Sequence, residues 1–202
     1  MVEPITLVVE GSIDAAVLER VIGDAGLPTG PVYTMHGKDA LDRRLAAYNK
    51  AARFSRWLVL RDLNNDAECA PALRARLLPS PAPSMRLHIA VRTVEAWLLA
   101  DADAFCKCLS VPARAAPANP DGVQQPKLAV VGLARRSRSR AVREAIVPVP
   151  GSTAKVGPGY AALLIEFVAA SWRPSVAASR SPSLRRLLSH LEALRQGTAP
   201  RS

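Results

Sequence analysis

Six side chains carry most of the chemistry this sequence offers: Glu10, Asp14, Asp62, Asn64, Asp66 and Glu95. All six are hard oxygen donors, a set suited to Mg2+ or Mn2+ rather than to zinc. Their spacing follows the apolar runs. Glu10 closes the run Ile5-Thr-Leu-Val-Val, Gly11 follows, and Asp14 sits four residues on, where a helical pattern through Val17, Leu18, Val21 and Ile22 begins. Asp62 closes Trp57-Leu-Val-Leu-Arg61, with Asn64 and Asp66 just beyond. Glu95 follows a further apolar run and Arg92. A buried strand that runs into an unpaired carboxylate is expensive, so these acids are either a ligand set for a cation or helix-start decoration. Capping by Asn65 or Asp66 explains one of them, and the helix dipole favours Glu95 in a first turn in any case. Neither explains Asp62. Gathered on one rim, the acids repel by several kcal/mol in a partly dry cleft unless a cation sits among them or some are protonated.

The elements that must position these residues alternate. A strand over 5–10 leads into a helix to about residue 25, a Gly/Pro turn, a short strand over 32–35 and the exit turn His36-Gly37-Lys38. A helix over 39–54, a strand over 57–62, a helix carrying Leu73, Leu77 and Leu78, a proline-rich link and a strand over 85–91 follow. Thr93 then caps the next helix, in which Trp97, Leu98 and Leu99 are core. The pattern is α/β: a mostly parallel four-stranded sheet flanked by helices on both faces, with a helical C-terminal part. In such sheets, sites lie beyond the carboxyl ends of the strands.

Composition sets bounds. With 202 residues the chain is expected to form one domain, read as an α/β core over 1–110 and a loop-rich, helical part over 111–202 packed on it. Hydrophobic residues make up 49 % of it, yet no run approaches the ~18 apolar residues of a membrane span. No signal peptide is evident, and three cysteines fit a reducing cytoplasm. Cys106 and Cys108, a lone Cys-x-Cys pair, read as core thiols rather than a zinc site. The net charge is +10, with arginine supplying 22 of the 27 basic residues. A GC-rich genome gives that bias, and so does an anionic polymer partner such as DNA or RNA. Arg135, Arg136, Arg138, Arg140 and Arg143 fall within nine residues. They form either a phosphate clamp or a solvated surface. No aromatics alternate with them, so base stacking is not indicated.

In the second half, 112–126 reads as a surface loop and a helix begins near Lys127. Gly157-Pro-Gly-Tyr160 precedes a strong helix over 161–172. That glycine turn is either a plain turn or a phosphate-holding loop helped by Lys155. Ser181-Pro182 opens the last helix with a cap and a first-turn proline, with Arg185, Arg186 and His190 facing solvent, and 197–202 is a frayed tail.

Val-Val-Glu10-Gly11-Ser-Ile-Asp14 and Leu60-Arg-Asp62-Leu-Asn64-Asn-Asp66 resemble the Glu-Gly and Asp-x-Asp elements of Toprim domains. These are the metal-binding folds of topoisomerases, primases and overcoming-lysogenization-defect nucleases. Over roughly residues 3 to 195 the chain looks more closely like a bacterial Toprim-like family, domain of unknown function 4276. That likeness rests on Arg92-Thr-Val-Glu95-Ala-Trp97-Leu-Leu-Ala-Asp101, Asn119-Pro-Asp121, Pro126-Lys127, Gly157-Pro-Gly-Tyr160 and Ser181-Pro-Ser-Leu184. The resemblance implies an Mg2+- or Mn2+-dependent nuclease that hydrolyses phosphodiesters in DNA or RNA, in phage defence, with a partner protein encoded nearby. Glu10 and Asp14 would hold one metal, and Asp62 with Asn64 and Asp66 a second or shared one. Glu95 would be a further ligand or general base. Lys38, Arg61, Arg92 and the arginines at 135, 136, 138, 140 and 143 would neutralise phosphate. Asn64 stands where the family has a second acid, which removes one anion, and Asp66 is placed to compensate. That departure favours the alternatives, a non-catalytic nucleotide or nucleic-acid binding module or an interaction subunit of a defence complex. No tyrosine lies beside the acids, so strand transfer of the topoisomerase kind is not expected.

Overall fold

A computed structural model of the chain describes residues 3–197. It divides into two units, one made of the residues up to Val91 with those from Arg186 onward, the other of Arg92–Arg185. The division therefore falls at 91/92 rather than at 110/111. The reason is local: Trp97 is fully buried and donates its indole N–H to Ser183 Oγ at 2.7 Å, tying the helix after the fourth strand to the second unit.

The first unit is built on β1 (Ile5–Val9), β2 (Thr29–Thr34), β3 (Arg56–Asp62) and β4 (Met85–Ala90), linked by α1 (Ser12–Asp24), α2 (Lys38–Ala51) and α3 (Ala70–Leu77). All pairings are parallel and the strand order is β2-β1-β3-β4. β1 is buried at all five positions, as an apolar run between two neighbours must be. β2 alternates exposed and half-buried residues, tolerates Pro31 and carries a register shift, all marks of an edge strand. Right-handed crossovers that leave β1 in opposite directions put α1 on one face and α2 and α3 on the other. Alternation sorts the side chains accordingly. Val8, Val59, Leu87 and Ile89 share a cluster with Leu41, Leu45 and Leu73, while Leu7, Val9, Leu58 and Leu60 turn to the face of α1, where Val17, Leu18, Val21 and Ile22 are buried. α2 ends three residues before its expected limit. Arg53 and Phe54 form a tight turn on its last carbonyls, and Phe54 is 88 % exposed.

The second unit holds α4 (Val94–Ala100), α5 (Ala102–Cys108), α6 (Pro126–Arg135), α7 (Arg140–Ile146), α8 (Tyr160–Ala170), α9 (Pro174–Ala178) and the start of α10 (Pro182–Arg195). Its core includes Trp97, Phe105, Leu164, Phe167 and Trp172, with Phe105 and Phe167 edge to face at 5.1 Å. The expected surface loop holds two single 3₁₀ turns, Ala113–Ala115 and Pro120–Gly122. Ser181 Oγ accepts the Leu184 N–H at 3.2 Å, so the serine-proline start of α10 is capped as its sequence indicates. Thr198 to Ser202, most of the expected tail, lie outside the described residues.

Candidate functional site

β1 and β3 are neighbours whose outgoing connections run in opposite directions, so the crevice at their carboxyl ends is the switch point of the sheet. Glu10 and Asp62 stand there. Glu10 Oε1 accepts the backbone N–H of Asp62 at 2.9 Å. Within one aspartate the amide and carboxylate are separated by no more than about 4 Å, so the Glu10 and Asp62 carboxylates lie within about 7 Å of each other. Gly11 is extended (φ −147°) and caps α1, and Asp14 on the first turn leans back over it. A Cβ at position 11 would meet Asp14 Oδ2 at 3.2 Å. Continued from Val8↔Val59, the β1–β3 register sets Gly11 beside Asp62 and Glu10 beside Arg61. Asp14 and Asp62, 8 % and 6 % exposed, therefore share the α1 side of the lip. Glu10 leaves its strand toward the other face, and the Asp62 amide joins the two groups.

On that other face Arg61 is the hub. It is only 2 % exposed. Its Nε and Nη2 donate to the two oxygens of Asp42, each at 3.1 Å. Nη2 also donates to Asp66 Oδ2 at 2.7 Å. Nη1 donates to the Asp62 carbonyl and lies 3.4 Å from Glu10 Oε1. Burial alone would make this guanidinium easier to deprotonate, but hydrogen bonds to Asp42 and Asp66 and the charge of Glu10 raise its pKa instead. Lys38 Nζ reaches the second oxygen of Asp66 at 2.5 Å. Burial pushes the Asp66 carboxyl up, yet the bonds from Lys38 and Arg61 hold it below the usual carboxylate range.

Three expectations change here. Arg61 and Lys38, expected to neutralise phosphate, are engaged by the protein's own carboxylates. Asp66, expected as a metal ligand or a cap, is claimed by two cations, and the helix it would have capped starts at Ala70, with Cys69 at the N-cap position. Asn64 sits in the left-handed region (φ 48°), which asparagine tolerates, and the turn it makes brings Asp66 back to Arg61. Asp42 went unrecognised because it lies inside α2 and reads as a solvent-facing charge. The available signal was Arg61 itself, since an arginine inside a buried run demands an acid.

Glu10, Asp14, Asp42, Asp62 and Asp66 gather around this end of the sheet, with Arg61 reaching Glu10, Asp42 and Asp66 and Lys38 reaching Asp66. The oxygen-donor chemistry of these side chains fits a hard dication. As they stand, no three His, Cys, Asp or Glu side chains among the described residues form a ready metal cage. Glu10, Asp14 and Asp62 would have to turn toward a common point to make one.

Glu95 belongs to the second unit, 1 % exposed, accepting from Thr93 Oγ1 at 2.5 Å and from Tyr160 Oη at 3.3 Å, with Lys127 Nζ at 3.8 Å. A base so enclosed has no opening to a water or a substrate, and the Thr93 hydroxyl serves this carboxylate rather than capping α4. The other motifs of this half also meet each other. Asp121 accepts from Ser181 Oγ at 2.6 Å and from the Ser183 N–H at 3.0 Å, and Asp101 pairs with Arg173. The glycine turn packs on the end of α7: the Gly157 and Gly159 amides donate to the Ile146 and Ala145 carbonyls, so neither is offered to a phosphate. Of the arginine cluster, Arg143 donates to the Ser137 carbonyl and Arg140 pairs with Glu144. Arg135, Arg136 and Arg138 are exposed, and Arg92 is half-buried. Burial raises the Cys106 and Cys108 thiols, so neither is a ready thiolate ligand.

No protein-family model, curated protein or solved structure matches the chain. No described helix is long and apolar enough to cross a membrane.

Proposed function

We propose that the chain is a Toprim-like, divalent-metal-dependent phosphodiesterase acting on DNA or RNA. The observation that carries this reading is the meeting of the Glu10, Asp14 and Asp62 carboxylates at the carboxyl ends of β1 and β3, where α/β sheets hold their ligands. Glu10, Asp14 and Asp62 would hold the metal, which when bound activates water and stabilises the leaving oxygen. Arg61 is a positioning residue. Through Asp42 and Asp66 it fixes the end of β3, and its Nη1 steadies Glu10. Arg135, Arg136 and Arg138 supply backbone-phosphate contacts without base readout.

A second reading has one specific observation in its favour. Arg61 already neutralises Glu10 and Asp66 in part, and Asn64 withholds another charge, which suits a nucleic-acid or nucleotide binding module that does not turn over. Cleavage of labelled DNA and RNA with Mg2+ or Mn2+, by wild type, Glu10→Gln and Asp62→Asn, separates the two. The enzyme reading expects metal-dependent cleavage lost in both variants. Binding without cleavage in all three selects the binding module, and equal cleavage in all three removes the proposed site.

A further inference from the structure

The opposite end of the same sheet carries the reverse charge. About 20 Å along β3 from Asp62, taking ~3.3 Å per residue, a cavity of about 500 Å³ opens beside the start of β3 and β4. Arg53, Phe54, Arg56, Trp57, Arg86 and His190 are among its lining residues. Arg56 is the first residue of β3, and Arg86 pairs in register with Leu58. Arg56 Nη1 and Arg86 Nε are both buried and donate to nothing among the described residues. Arg56 Nε has Glu3 at 3.7 Å, whereas no described carboxylate pairs with Arg86.

Buried guanidinium N–H groups without acceptors are costly, so native structures pair them or present them to a ligand. Burial, and then the nearby charge of Arg74, lower the Arg86 pKa, as befits a cation whose counter-charge is missing. His190 is pushed down to about 4 by burial and by Arg86, so it is neutral at pH 7 and adds no charge. Among the described lining residues, three guanidiniums against the one carboxylate of Glu3 sum to a charge of +2. A phosphate monoester carries about −1.5 to −2 at pH 7, and guanidinium forks match its oxygens. Phe54 stands at this cavity almost fully exposed, a flat apolar surface on which a base can stack.

We propose that this cavity is a nucleoside-monophosphate site, with the phosphate on Arg56 and Arg86 and the base against Phe54. The site is independent of the acidic rim and of any cleavage there. The test is calorimetric titration of the full chain with adenosine monophosphate and with inorganic phosphate, at low salt with EDTA so that no rim metal contributes. Wild type should bind adenosine monophosphate saturably, one per chain. Arg86→Met should weaken both ligands at least tenfold, while Phe54→Ala should weaken the nucleotide and leave phosphate unchanged. In wild type the His190 ring resonances should shift saturably with nucleotide, a readout that needs no variant to fold. Absence of saturable binding, unaltered affinity in folded Arg86→Met, or a still His190 resonance would each overturn the proposal. Equal affinity for sulfate and nucleotide, insensitive to Phe54→Ala, would overturn the nucleotide assignment.

Discussion

Replacing Arg61 by methionine is the sharpest structural perturbation the candidate site allows. In the wild type one guanidinium satisfies both oxygens of Asp42 and one of Asp66, and approaches Glu10, while its own surface is almost wholly hidden. Removing one partner of a buried ion pair typically costs 3–5 kcal/mol, because the remaining charge stays behind without compensation. Here the carboxylates keep 15 % to 25 % of their side-chain exposure, so water recovers part of that loss. The expected cost of Arg61→Met is therefore about 3 kcal/mol at pH 7.5. For a chain of this length that is a fall in Tm of roughly 6–12 °C. Urea unfolding at low salt measures it. Added Mg2+ should recover part of the loss, since a dication can replace the missing charge. The pH dependence has a definite sign. The folded Asp66 carboxyl titrates below its ordinary value, so its contribution is present above about pH 4 and lost as pH falls through the lower folded value. The gap between wild type and variant should accordingly narrow below pH 4. A cost under about 1 kcal/mol, or a gap unchanged down to pH 3, would show that Arg61 is not the hub described. Arg61→Lys should not restore wild-type stability, because an ammonium cannot engage Asp42 and Asp66 with one fork.

Other outcomes follow from single contacts. Gly157→Ala should destabilise by about 1–3 kcal/mol in urea unfolding, because its Cβ would lie 2.4 Å from the Ala145 carbonyl oxygen and 2.8 Å from that of Val147. Stability should fall as pH drops from about 6.5 to 4, since the unfolded His190 takes up a proton that the folded one refuses. The slope should flatten in His190→Gln, a change of order 1–3 kcal/mol across that window. Replacing Arg135, Arg136 and Arg138 together by glutamine should leave thermal stability unchanged. It should also make the salt dependence of duplex binding shallower, by about 0.9 log unit per lost phosphate contact.

Much of this fold is readable from the chain itself. The runs ending at Glu10 and Asp62 read as strands because they are largely apolar on both faces, the run ending at Ala90 because it alternates, and β2 reads as weaker because it is an edge. The lip of the sheet was readable too, for Gly11 and the two strand-terminal acids fix where side chains gather. Partner choice was not. Asp42 and Asp66 carry the same charge as Asp14 and Asp62, and only the three-dimensional path of α2 and of the Asn64 turn decides which of them meet Arg61. Glu95 misled for a related reason. Acid at the start of a helix looks alike whether it opens to solvent or, as here, is closed over by Thr93, Tyr160 and Lys127 from distant parts of the chain. Likewise His190 looks like a solvent-facing helix residue until the far end of the sheet, with Arg86, is placed beside it.

The central claim is that the carboxylates gathered at the sheet's switch point form a cation site. Electron paramagnetic resonance of free Mn2+, titrated with the full-length chain, tests it without reference to any substrate. Wild type should take up Mn2+ saturably. Asp14→Asn and Asp62→Asn should each reduce the affinity at least tenfold while retaining wild-type circular dichroism. Wild type that leaves Mn2+ free, or folded variants that bind it as tightly as wild type, would contradict the claim.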